Sequence, residues 1–354
     1  MKYIINVVLL LVVLSACTGS KQSLERTSTI DSTLQSKTYS ILKDKLSEID
    51  ALSGLVIIME TKTGEIKAMV GLERRDSATN QSCSNLTYRR ETGLMHPISL
   101  LTALESGKAS INDTVDTGKG EYLVYDAAMR DHNWQRGGYG ELTLEQGIML
   151  NSNIATIKTI EKLYGENPQT YFDALERMSY GKPDSICGLT DMKPVNFVTP
   201  NHSAWSDKVL IWFSIGYYQQ ISPIQVLTFY NAIANDGVMV QPQLYKDFIR
   251  IINPQIASKE NITYIQQVLE KTVSDGLGKP AYSDKMKVGG NPGTVHLGAE
   301  NGIDIYGIEF CGYFPADNPE YTMIVSINKI GLPASGGLMA GDVFNKIIDL
   351  LYDN

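Results

Sequence analysis

Metal binding and thiol chemistry need histidines and cysteines at set spacings, and this chain supplies few of either. Its four histidines, His96, His132, His202 and His296, form no i, i+4 pair, so no metal site is expected. Of its four cysteines, Cys17 stands apart near the start, leaving Cys83, Cys187 and Cys311. An odd number without C-x-x-C spacing describes neither a zinc site nor a disulfide framework. An oxidising compartment would allow one bridge, with its pairing left open. Cys311 lies in the apolar run Ile308-Glu309-Phe310-Cys311-Gly312-Tyr313 and is expected to be buried. No cofactor is expected.

The chain has 354 residues, 43% hydrophobic and 20% charged, an ordinary composition for one large domain or two small ones. A formal net charge of -8 argues against nucleic acid or an anionic membrane surface as a partner. The N-terminal end differs from the rest. Lys2 precedes an apolar run from Tyr3 to Leu14, about 12 residues, whereas a membrane-spanning helix needs ~20. That run fits the hydrophobic region of a secretory signal. Leu14-Ser15-Ala16-Cys17 resembles the lipobox of bacterial lipoproteins, which makes Cys17 the lipidation site and mature N-terminus. Each buried methylene of an acyl chain adds ~0.8 kcal/mol to such an anchor. The expected organisation is a signal peptide over residues 1–16, a lipidated tether over 17–28 and a domain over 29–354.

The elements of that domain are legible from periodicity. A helix begins near Ser32, capped by Asp31 or Ser32, and Gly54 ends the segment. Leu55 to Met59 is a strand too apolar to be exposed on both faces, Thr61-Lys62-Thr63-Gly64 a hairpin turn, and Glu65 to Val70 the returning strand. Helical spacing marks Pro97 to Ser106, Leu142 to Tyr164, Pro168 to Met178 and Pro223 to Asn235. Strands return at Asp304 to Phe314 and Tyr321 to Asn328, joined by the turn Pro315 to Pro319, before a last helix from about Gly341 to Tyr352. Strands at both ends around a helical middle predict one sheet built from distant segments, hence a single α+β domain.

Several stretches, in order, resemble the penicillin-binding protein transpeptidase domain. They are Thr29 to Gln35; Thr63-Gly64-Glu65-Ile66; Asp131-His132 with Leu142-Thr143-Leu144-Glu145; Ser214-Ile215-Gly216-Tyr217 with Ser222-Pro223-Ile224-Gln225 and Ala232 to Val238; and Gly312-Tyr313-Phe314-Pro315-Ala316. The resemblance implies the α+β fold shared with the serine β-lactamases: a central antiparallel sheet flanked by helices, plus a mostly helical subdomain. Larger family members carry a further N-terminal module. Here only the tether is expected before the domain.

The family's chemistry rests on three motifs, and each departs from the pattern here. The first, Ser-x-x-Lys at a helix start, supplies the nucleophile and the base that activates it. This chain has Thr92-Gly93-Leu94-Met95-His96-Pro97, one residue shorter, without that Ser or Lys. His96 has nothing to activate and reads as a helix-start residue. The second, Ser-x-Asn, becomes Asn151-Ser152-Asn153: the relay hydroxyl is replaced, while Asn153 could still hold an amide. The third, Lys-Thr-Gly on a strand edge, aligns with Gly289 to Thr294, where Asn291 removes the charge and Pro292 removes a backbone donor. Gly293 and Thr294 keep the strand. The resemblance therefore implies a non-catalytic relative in the cell envelope. It would be lipid-anchored, with peptidoglycan stem peptides or wall-synthesis and division proteins as partners.

The alternative is an active D,D-transpeptidase or penicillin-binding acyl-enzyme with a relocated nucleophile, for which Ser99 and Ser152 are the hydroxyls near the motif positions. Ser99, one turn beyond Met95, is expected to face away from the reacting position. A third reading, a β-lactamase or penicillin sensor, needs the same missing Ser-x-x-Lys. Ser40-Ile41-Leu42-Lys43, Ser326-Ile327-Asn328-Lys329 and Lys62-Thr63-Gly64 match the short patterns without their surroundings.

Overall fold

Asp31 starts the first helix, its Oδ1 accepting from the N–H groups of Thr33 and Leu34 at 2.8 and 2.9 Å. The computed structural model describes residues 26–75, 78–81, 84–125 and 127–352. Cys17, Cys83 and the apolar run 3–14 lie outside the described residues. Helix α1 (Ser32–Glu48) leads into strands β1 (Ala51–Glu60), β2 (Ile66–Arg75) and β3 (Ala78–Gln81). Gly54 does not end the helical segment. It lies inside β1, where a Cβ would come within 2.8 Å of Leu46 Cδ2, so α1 packs directly on the strand there.

The helical middle contains α2 (His96–Glu105), α3 (Leu144–Met149), α4 (Asn153–Tyr164), α5 (Pro223–Ala234) and α6 (Lys259–Ser274). The segment from Leu142 to Tyr164, expected as one helix, is a short strand and two helices. Asn151 breaks it with a left-handed φ of 48°. The N–H groups of Asn151 and Ser152 donate back to Ile148 O and Gly147 O, at 2.9 and 2.7 Å, closing α3 in a Schellman pattern. Helix α6, capped by Ser258, was not singled out by periodicity, although Ile262, Ile265, Val268 and Leu269 form its buried stripe.

Strands β4 (Gly289–Glu300), β5 (Ile303–Phe314) and β6 (Tyr321–Ile330), then helix α7 (Asp342–Tyr352), complete the frame. The six strands form one antiparallel sheet in the order β4-β5-β6-β1-β2-β3. Its centre is the pairing of β1 with β6, Val56 opposite Val325, which joins segments far apart in sequence. The pleat divides the apolar strands between two cores. Leu55, Ile57, Met59, Cys311 and Ile324 pack under the helical middle. Val56, Ile58, Phe310, Val325 and Ile327 pack against α1 and α7. Helix α5 is buried all round. Its Asn231 is satisfied there, donating to Thr61 O at 3.1 Å and accepting from Thr322 Oγ1 at 2.9 Å.

No helix among the described residues is long and apolar enough to cross a membrane. Cys187 is exposed, Cys311 is buried, and neither is in a disulfide. No group of three or more His, Cys, Asp or Glu among the described residues is placed to hold a metal ion.

Candidate functional site

The fold brings the three motif segments to one place. Thr92 to Pro97 opens α2, Asn151 to Asn153 forms the turn between α3 and α4, and Asn291 to Thr294 lies on the edge strand β4. His96 Nε2 meets Asn153 Oδ1 at 3.0 Å, joining the first segment to the second. Gly93 and Gly293 join the first to the third. A Cβ on Gly93 would lie 2.5 Å from Thr294 N, and one on Gly293 would lie 2.6 Å from Gly93 C. The two backbones touch, and no methyl group fits between them.

In the first segment, Leu94 and Met95 are fully buried in the core beneath the helical middle. Tyr230 of α5 donates to Leu94 O at 2.9 Å and pins the turn. Burial pushes the His96 imidazole down to about 4, so it is neutral at pH 7, and Asn153 opposes that shift only in part. Asn153 Nδ2 donates to Arg130 O at 3.0 Å while Oδ1 faces His96, so both ends of its amide are engaged inside the protein.

The second segment is built by capping chemistry. Asn151 takes the left-handed position that suits Asn, and its buried Oδ1 has no partner. Ser152 caps α4, accepting from Ala155 N at 3.0 Å, and donates to Asp131 Oδ2 at 2.8 Å. Asp131 also accepts from Ile154 N at 3.1 Å. Burial raises the Asp131 carboxyl above its usual range, against the lowering effect of these hydrogen bonds.

On the third segment Asn291 is buried and turned inward, its Nδ2 donating to Pro292 O at 2.8 Å and its Oδ1 unpartnered. Pro292 and Gly293 are buried, whereas Thr294 is exposed. The Thr294 hydroxyl accepts from Gly336 N at 3.1 Å. Gly336 packs against Gly293 as well: a Cβ on it would lie 2.3 Å from Gly293 O.

Behind these segments lies a polar network that sequence reasoning missed. Glu309 on β5 stands opposite Gly293 on one side and Ser326 on the other. Its Oε1 accepts from Arg90 Nη2 at 3.0 Å and from Ser326 at 3.2 Å, and Arg90 also donates to Ser326. Its Oε2 accepts from Thr92 Oγ1 at 2.7 Å and from Gly93 N at 2.8 Å. Arg90 and Glu309 are both buried, so the pair fastens Arg90 to Gly93 onto the sheet. One signal was available: an acid inside an apolar strand run must find a buried partner.

The other hydroxyls near the site are engaged elsewhere. Ser99 is fully buried, bonded to Tyr171 Oη at 2.8 Å and to Ser214 O at 2.7 Å. Ser40 lies mid-helix in α1, Ser326 within β6, and Lys62-Thr63-Gly64 in the turn after β1. Two large cavities, about 950 and 480 Å3, are lined by none of the motif residues.

Known proteins share this architecture. The probable peptidoglycan D,D-transpeptidase PbpC of Pseudomonas aeruginosa is 26% identical over 347 residues, covering 90% of this chain and 57% of that protein. Stage V sporulation protein D of Bacillus subtilis is 25% identical over 348 residues, covering 89% and 52%. The chain thus spans about half the length of these relatives. Among solved structures, the transpeptidase domain of Burkholderia pseudomallei penicillin-binding protein 3 aligns with a TM-score of 0.78 at 24% identity, covering 94% of this chain and 98% of that one. Penicillin-binding protein 2B of Streptococcus pneumoniae aligns at 0.80 with 16% identity, covering 93% and 60%, a likeness of fold. The family model of the penicillin-binding protein transpeptidase domain matches residues 54–349, which takes in the sheet, the helical middle and all three converging segments. The chain belongs to that family.

Proposed function

We propose that this chain is a non-catalytic member of its family, a binding or scaffolding protein in peptidoglycan synthesis or cell division. The observation that carries the reading is the backbone contact between Gly93 and Gly293. An acyl-transfer site needs a nucleophile on the helix side and open space before the strand edge, where the substrate carbonyl sits. At this place the helix side offers buried Leu94 and Met95, and the strand edge meets backbone. Losing the nucleophile alone costs on the order of 10⁶ in rate in a serine hydrolase of another fold. His96, neutral and buried, has no hydroxyl to deprotonate. The alternative of a relocated nucleophile draws no support from Ser99 or Ser152, both buried and hydrogen-bonded.

Several relatives are named as peptidoglycan D,D-transpeptidases, and this reading places the chain in the same envelope process. Residues 1–16 are a signal peptide in it, and Cys17 carries lipid at the head of the tether 17–28. The domain 29–354 engages stem peptides or wall-synthesis and division proteins. With the cleft filled, an outer surface does that work. Intact-protein mass spectrometry after incubation with benzylpenicillin tests the reading. No mass gain is expected from the folded protein. A stoichiometric gain would overturn it, and peptide mapping would then name the nucleophile.

A further inference from the structure

Arg26 to Thr29 run beside an exposed apolar loop. Lys246 N donates to Thr27 O at 2.8 Å, Thr29 N donates to Leu244 O at 3.0 Å, and Ser28 bridges Tyr245. The tether's end is therefore laid against residues 244–246. The chain then runs directly into Phe248, Ile249 and Ile251, which are 69%, 49% and 59% exposed. No other stretch of four described residues exposes three large hydrophobic side chains. Scattered exposed hydrophobics need no explanation, but a cluster on one loop does.

The charges around this loop differ from those of the whole chain. Lys182 pairs with Asp184 at 2.7 Å and Arg250 with Asp247 at 3.1 Å. Arg26 and Lys246 have no acidic partner among the described residues. The Arg250 guanidinium lies 4.8 Å from the centroid of the Phe248 ring, so the apolar tip carries a cation on its flank. These residues border the cavity of about 950 Å3. The net charge of -8 argues against a general attraction to anionic lipid. Screening confines that effect to about 8 Å at physiological salt, however, so the local excess of cations governs what this face meets.

We propose that the segment 246–251, a loop that ends on the first residue of a short strand, docks on the membrane surface, seating Phe248, Ile249 and Ile251 at the headgroup boundary with Arg26, Lys246 and Arg250 against anionic lipid. The proposal rests on the reading of Cys17 as lipid-anchored. Cys17 lies nine residues before Arg26. That length of chain reaches at most about 30 Å. The anchor therefore holds this loop within a short distance of the bilayer it enters. Aromatic and aliphatic tips flanked by Lys and Arg suit that boundary. The docked face fixes which side of the domain looks toward the wall.

The test uses the mature full-length protein reconstituted in vesicles of phosphatidylethanolamine and phosphatidylglycerol doped with a diazirine-bearing phospholipid. After irradiation, mass spectrometry maps the lipid-modified peptides and weighs the Cys17 peptide in the same sample. Cross-links within 246–251 are expected. They should fall roughly tenfold in the triple variant Phe248→Ser, Ile249→Ser, Ile251→Ser, whose exposed positions leave the fold intact by circular dichroism. An acylated Cys17 with cross-links absent or spread over other faces would overturn the docking and leave the anchor standing. An unmodified Cys17 without cross-links would overturn both.

Discussion

The turn and the strand contact that meet where the three segments converge are held by different physics. The turn at Asn151 to Asn153 is held by local capping: a Schellman closure of α3, the Ser152 cap of α4 and the Asp131 carboxylate beneath them. The facing side, where Gly93 meets Gly293, is held by a buried ion pair between residues 219 positions apart, Arg90 and Glu309. The comparison teaches that a turn defined by caps depends on residues close in sequence. A contact defined by packing depends on segments far apart, and on the small residues that let them meet.

Breaking the long-range side should have the largest effect. Glu309→Ala leaves Arg90 buried without its partner and frees the Thr92 hydroxyl and the Gly93 N–H. A loss of about 3–5 kcal/mol in urea unfolding is expected. A loss under about 1 kcal/mol would mean the ion pair does not hold the segment.

The junction between the two sides responds to pH. His96 has a folded value of about 4 against an ordinary 6.5, so the unfolded chain binds the proton first as pH falls. Its contribution to stability is present above pH 6.5 and is lost progressively toward pH 4, about 3 kcal/mol in all. Asp131, raised by burial, acts in the opposite sense, favouring the folded state more as pH falls toward the ordinary carboxylate range. Comparing urea midpoints at several pH values between wild type and His96→Gln isolates the histidine. A shallower pH dependence is expected in the variant, and equal slopes would place His96 in a more hydrated setting than its burial implies.

The local side should yield the smallest change. Asn151→Ser places a hydroxyl in this turn, but it puts a residue other than Asn or Gly at a φ of 48°. Destabilisation of about 1 kcal/mol is expected, with no gain of penicillin acylation. An adduct in this variant would show that a nucleophile survives elsewhere.

Much of the frame was legible because it rests on local rules. Asp31 caps α1, Pro223 opens α5, and the run Leu55 to Met59 is buried on both faces of the central strand. The break at Asn151 was not legible, because apolar residues keep helical spacing on both sides of it. Gly54 was misread as a stop for a related reason: a glycine that ends a helix and one that admits a helix onto a strand look alike in sequence.

The sequence by itself determined the residue types along Thr92 to Pro97, Asn151 to Asn153 and Asn291 to Thr294. It also determined the cap and strand patterns that build the antiparallel sheet and its helices. Only the tertiary structure decided that Gly93 and Gly293 touch, that Glu309 ties Arg90 to Gly93 onto β5, and that Thr27 to Thr29 run along Leu244 to Lys246. These are contacts between distant segments. Local propensity carries no information about which buried acid meets which arginine, or which two glycines let their backbones close.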